Sequence, residues 1–229
     1  MEKRGASNIE FILAFMLFAG FLVTILYLYN PTKDLSAMES SRDYVMNKII
    51  KNTSIELDAY SIVITETATG DIQVNIEGID TTKNVRAVDY YGKPMTAVRS
   101  GDNICLARSA ENFATLYFSE DLDEITGSCS SPSSINYRIA SSITSEVISE
   151  KRILLLNNSY YSNYPLLKEQ LGIPESVEFS FSLEFPDGET INAERAKPLS
   201  GEVFSETKLR EVLRKEGSSK FGYLTVQIW

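Results

Sequence analysis

Side-chain chemistry near neutral pH most often runs through histidine, and this chain of 229 residues has none. Ser-His-Asp triads, Cys-His pairs, histidine-ligated zinc and imidazole proton shuttles are thereby excluded. A short inventory of other reactive groups remains. Ser205-Glu206-Thr207-Lys208 has the Ser-x-x-Lys spacing in which a lysine can deprotonate a serine, but the companion motifs of such acylases are missing, and Ser205 stands where a helix N-cap is expected. Glu120, Asp121, Asp123 and Glu124 surround Leu122 in an acidic run that offers oxygen ligands to calcium. The run lacks the spacing and glycine of an EF-hand loop, so a solvated loop is the expectation, with no metal and no cofactor. Cys105 and Cys129 are an even pair without histidine, a poor zinc set and a plausible disulfide; the alternative is two buried thiols acting as small apolar residues. Asn52-Thr53-Ser54 and Asn157-Asn158-Ser159 match the N-glycosylation acceptor pattern. None of these groups assembles a catalytic set, and the expectation is that the protein is not an enzyme. Thirty-one acidic against 22 basic residues give a formal charge of -9, which opposes nucleic-acid phosphates as partners.

The most informative spacing lies at the start of the chain, in Lys3-Arg4-Gly5-Ala6-Ser7-Asn8-Ile9-Glu10-Phe11. From Ile9 to Tyr29 only Glu10 and Thr24 interrupt an apolar run. As a helix it is about 31 Å long, which matches a hydrocarbon core of about 30 Å, so one membrane span is expected. Lys3 and Arg4 before it, with Tyr27 and Tyr29 at its far end, orient the amino terminus to the cytoplasm and everything after the span outside. A cleavable secretory signal fits less well, because the run is too long and ends in Tyr-Leu-Tyr-Asn-Pro rather than at a small-x-small site. Glu10 lies near the cytoplasmic end. Alone it costs about 2.5 to 3.5 kcal/mol at a helix centre and less near an end, where it can snorkel to the headgroups. A cut after Gly5 would instead create an α-ammonium group on Ala6 that pairs with the Glu10 carboxylate of a neighbouring subunit.

The basic pair, Gly5, the small or polar Ala6-Ser7-Asn8, Glu10 and the run from Phe11 resemble the class III signal peptide of archaeal type IV pilin-like proteins. That resemblance implies a cut between Gly5 and Ala6 by a prepilin peptidase. It further implies assembly through Glu10 and the apolar helix into a surface filament, with sibling pilin-like subunits, an assembly ATPase and a membrane platform protein as partners. Ala6 and Asn8 stand where many relatives have glutamine and serine, and the outer part is larger than that of a small major pilin. A minor subunit is therefore expected. The alternative is an unprocessed, single-span, membrane-anchored binding or envelope-anchoring (stator-like) protein.

These groups must be positioned by a chain that reads as α+β. The expected parts are a leader (1–5), a transmembrane helix (6–29), an amphipathic stalk helix (30–53), an antiparallel β lobe (54–132) and an α+β C-terminal lobe (133–229). Asn30 is the expected N-cap and Pro31 the first residue of the stalk, whose Leu35, Met38, Val45 and Ile49 recur at helical spacing. Period-2 alternation predicts a hairpin of Ile62–Ile64 with Ile72–Ile76 around Ala68-Thr69-Gly70, a second of Val85–Tyr91 with Met95–Val98, and a strand at Ala114–Phe118. Further along, Ser149 should cap a short helix, Tyr164-Pro165 should open another that Gly172 stops, and Val177–Phe185 is the clearest strand. Glu206–Glu216 reads as a helix ended by Gly217, and Leu224, Val226 and Ile228 as a terminal strand.

Overall fold

A computed structural model describes residues 4–28, 31–64, 71–107, 112–125, 137–195 and 202–229, with side chains in the first two helices described for 9–26 and from 38 onward. The chain divides into two compact units, Met1–Ser41 and Arg42–Trp229. The first holds α1 (Arg4–Leu28) and the start of α2 (Pro31–Thr53). The cap expected at Asn30 lies outside the described residues. The second unit is a strand-rich head, so the class is α+β with an apolar amino-terminal helix.

In the head the end of α2 buries Val45, Met46 and Ile49, part of the stripe expected from its 3.6-residue period. Thr53 closes the helix by donating its hydroxyl to the Ile49 carbonyl at 2.8 Å, and the chain passes directly into β1 (Ser54–Ile64). Nine strands form the main sheet: β1, β3 (Asn84–Asp89), β4 (Pro94–Met95), β7 (Phe113–Ser119), β8 (Tyr137–Ser149), β9 (Phe179–Glu184), β10 (Thr190–Ala193), β11 (Phe204–Leu213) and β12 (Ser219–Ile228). Their order is β10-β9-β12-β11-β8-β1-β7-β3-β4. A smaller sheet has the order β2-β6-β5, from Ile72–Asn75, Asn103–Leu106 and Ala97–Ser100.

Strand β1 serves two cores on opposite faces. Ile55 and Leu57 point to a cluster with Leu122, Val147 and Leu213, whereas Ile62 and Ile64 point to the small sheet's Ile72, Val74, Ile104 and Leu106. The phase of burial therefore switches from odd to even residues along one strand. The expected hairpin of Ile62–Ile64 with Ile72–Ile76 does not form: β1 pairs with β7 and β8, and β2 pairs with β6 in the other sheet. The turn proposed for 68–70 lies outside the described residues. The second expected hairpin is real but short. β3 pairs with β4 at two positions, after which Ala97–Ser100 leaves for the small sheet.

Toward the carboxy terminus, α3 (Glu150–Ser162) follows β8 with Ser149 as its N-cap, the Ser149 hydroxyl accepting from the Arg152 N–H at 3.3 Å. Helix α4 (Tyr164–Leu171) starts with Pro165 in its first turn and ends at Gly172 in the left-handed conformation, φ 67°. Both helices cover the odd-numbered face of β9. Tyr160 sits edge-on to Phe179 and Phe181, and Tyr164 stacks on Phe179 while its hydroxyl accepts from the Phe179 N–H at 2.9 Å.

The predicted helix at Glu206–Glu216 is a strand. Over ten residues β11 pairs with β12, from Phe204↔Ile228 to Leu213↔Ser219, and Gly217 belongs to the hairpin turn rather than to a helix cap. Two pairs, Val212↔Ile148 and Leu213↔Ser149, join β11 in parallel to β8, so the β8-to-β4 and β11-to-β10 halves of the sheet meet at one short seam.

Candidate functional site

The site singled out by sequence is built on one helix. Arg4, Gly5 and Ala6 lie in the first turns of α1, with side chains outside the description, as is Lys3 altogether. From Ile9 to Leu26 the helix has a mean hydropathy of 2.5, and none of that stretch is buried by the rest of the chain. It is long and apolar enough to cross a membrane. Phe11, Met16 and Leu26 are each about 70% exposed, at 73%, 70% and 70%. Of its two polar interruptions, Thr24 is satisfied internally, its hydroxyl donating to the Gly20 carbonyl at 2.7 Å. Glu10 is not. It is exposed and makes no hydrogen bond or ion pair with any described residue, so its carboxylate needs water, a headgroup or another molecule.

The remaining sequence candidates fall elsewhere. Cys105 on β6 is disulfide-bonded. Cys129 lies outside the described residues. In the acidic run, Asp121 accepts from Arg152 Nε at 2.7 Å and Asp123 pairs with Lys151 Nζ at 3.6 Å, so both carboxylates tie the loop after β7 to α3. Among the described residues no three acidic or cysteine side chains converge on one point, Glu120 and Glu124 included. Asn52 is exposed in the last turn of α2. Asn157 sits in the middle of α3, half-buried, with its Oδ1 enclosed and unpaired. On strand β11 Ser205 and Lys208 have opposite parity and point to opposite faces, and Lys208 pairs with Glu206 at 3.3 Å, so the Ser-x-x-Lys spacing brings no base to the serine.

One charged cluster had no local signal. Lys83, just before β3, donates to Glu56 Oε1 at 2.7 Å and to Asp58 Oδ2 at 2.8 Å, both on β1. These bonds, from Asp58 and then Glu56, raise the Lys83 ammonium well above its ordinary range. Burial opposes ionisation of Asp58, but its hydrogen bonds from Lys83 and Thr144 outweigh that and hold it below the usual carboxylate value. The cluster lines a cleft of about 660 Å³ with Tyr60, Asp80, Ser119 and Arg152. Its cations are held by carboxylates and by the Ser54 carbonyl, which suits a structural brace.

No family model, curated protein or solved structure matches this chain.

Proposed function

We propose that the protein is a minor subunit of a type IV pilus-like surface filament, displayed outside the membrane and assembled through its amino-terminal helix after removal of Met1–Gly5. The observation that carries this reading is Glu10, a carboxylate with no partner among the described residues, five residues past Gly5 in a run that only Thr24 otherwise interrupts. In hydrocarbon such a group is costly alone and stabilising when paired, and the ammonium group that cleavage creates on Ala6 is a partner of the right charge at the right depth. Phe11 and the exposed apolar residues after it supply the surface for packing against sibling spans. The disulfide at Cys105 suits a head exposed to an oxidising environment. The partners on this reading are a prepilin peptidase, sibling pilin-like subunits, an assembly ATPase and its membrane platform.

Mass spectrometry of the native polypeptide tests it. The reading expects a chain beginning at Ala6; a native chain that retains Met1–Gly5 overturns it and leaves an unprocessed, membrane-anchored outer protein.

A further inference from the structure

The face of β10-β9-β12-β11 turned away from α3 and α4 carries an ordered array of side chains, most of them uncharged and polar. Pairing register aligns Thr207, Thr225, Ser182 and Asn192 in one row across four strands. Beside it run Ser205, Gln227 and Ser180, and on the other flank Leu209, Tyr223, Glu184 and Thr190. Thr207 and Thr225 share a hydrogen bond of 2.9 Å, and the Ser180 hydroxyl donates to Gln227 Oε1 at 3.4 Å. Between the rows lies a depression of about 230 Å³ lined by Ser180, Ser182, Asn192, Glu194, Thr225 and Gln227. Ser180 forms its floor, only 4% exposed. On the same face of β12, Tyr223, 49% exposed, is the next residue along from Thr225 at the edge of the depression, and Phe221, 57% exposed, lies one step further away.

We propose that this face binds neutral sugars. Cross-strand neighbours about 5 Å apart present hydroxyl and amide groups at the scale of one pyranose ring, and such groups both donate and accept, as sugar hydroxyls do. The exposed rings offer flat apolar surface to the C–H side of a pyranose. The three rows contain no lysine or arginine, and the carboxylates of Glu184 within them and of Glu194 and Glu211 beside them repel polyanions, which selects an uncharged ligand over phosphates or nucleic acid. Other polar faces differ: β1 brings Glu56 and Asp58 to Lys83, and the even-numbered face of β11 carries Glu206, Lys208 and Arg210.

Ligand-observed saturation-transfer NMR on the full chain tests this, in an amine-oxide detergent so that no sugar headgroup competes. The probes are the methyl glycosides of glucose, galactose, mannose and N-acetylglucosamine and their β-linked trisaccharides. At least one probe should receive saturation with a Kd of about 1 mM or tighter. Thr225→Val, which removes one hydroxyl at constant shape, and Tyr223→Ala should each weaken that binding about fivefold or more, whereas Leu166→Ala on the outer surface of α4 should not change it. Absence of transfer to every probe at about 10 mM, or transfer indifferent to both variants, overturns the proposal. The readout needs neither leader removal nor polymerisation, so its failure would leave the filament reading untouched.

Discussion

Replacing Gly217 tests how closely the two halves of the main sheet approach. The residue sits in the β11–β12 turn at φ +88°, where an L side chain is strained, and a Cβ built there would lie 2.3 Å from both Cβ and Cγ of Arg86 on β3. Carbon atoms make optimal contact at about 3.5 to 4.0 Å, so the overlap exceeds 1 Å. Because one of the atoms struck is a Cβ fixed to the backbone of a paired strand, rotamer changes cannot relieve it. The turn is equally constrained. Gly217 N–H donates to the Arg214 carbonyl at 2.9 Å, Arg214 N–H to the Ser218 carbonyl at 2.8 Å, and the Arg214 guanidinium bonds Glu189 at 2.6 Å over the ring of Phe185. Gly217→Ala should therefore cost about 1–2 kcal/mol for the left-handed backbone and about 1–3 kcal/mol more for the displaced turn. Gly188 is the control, with φ +87° and open space around its missing Cβ, so Gly188→Ala should incur only the first cost. The assay is urea unfolding of the detergent-solubilised full chain, followed by the fluorescence of its single tryptophan, Trp229, whose backbone is bonded at both N–H and carbonyl to Glu178. In the Gly217→Ala background, Arg86→Gly removes the opposing carbons and should return about 1–3 kcal/mol as a coupling energy. Equal costs at Gly217 and Gly188, or strictly additive effects of Gly217→Ala and Arg86→Gly, would refute the close approach.

Glu10→Ala should leave membrane insertion intact while abolishing recovery of the protein in sheared surface filaments; undiminished recovery would sink the ion-pair mechanism. Asp58 is held below its ordinary value, so its contribution to stability is full above a pH of about 4 and fades as pH falls further through its folded-state value. Asp58→Asn should accordingly lower stability at pH 7 and flatten the acid limb of the stability curve measured by circular dichroism; an unchanged acid limb would assign that limb to other carboxylates. Reduction of the Cys105 disulfide should lower stability by about 3.5 kcal/mol, the chain-entropy value for the loop of about 25 residues that Cys129 would close. Thermal unfolding with and without reductant measures this, and a midpoint indifferent to reductant would deny the loop. N-glycan, where present, should be found on Asn52 and not on the half-enclosed Asn157, as glycopeptide mass spectrometry would show.

Local rules written into short windows were legible in the sequence. The apolar run of α1, the stripe of α2, the Ser149 cap, the Pro165 and Gly172 boundaries of α4 and the alternation of β9 each depend on residues a few positions apart. So did Glu10, whose oddity is its contrast with immediate neighbours. Tertiary structure decided what pairing across distance alone can settle. The stretch Glu206–Leu213 carries ordinary helix formers, yet a ten-residue ladder with β12 makes it a strand. Strand β8, rich in serine and exposed from Arg138 to Thr144, has no hydrophobic period to betray it and exists because β1 lies alongside. The switch of burial along β1, the Lys83 cluster and the polar rows over β9 and β12 likewise join residues tens of positions apart. Periodicity reports which face of one segment avoids water; it holds no record of which other segment will meet that face, because register and sheet order are fixed by the packing of the whole chain.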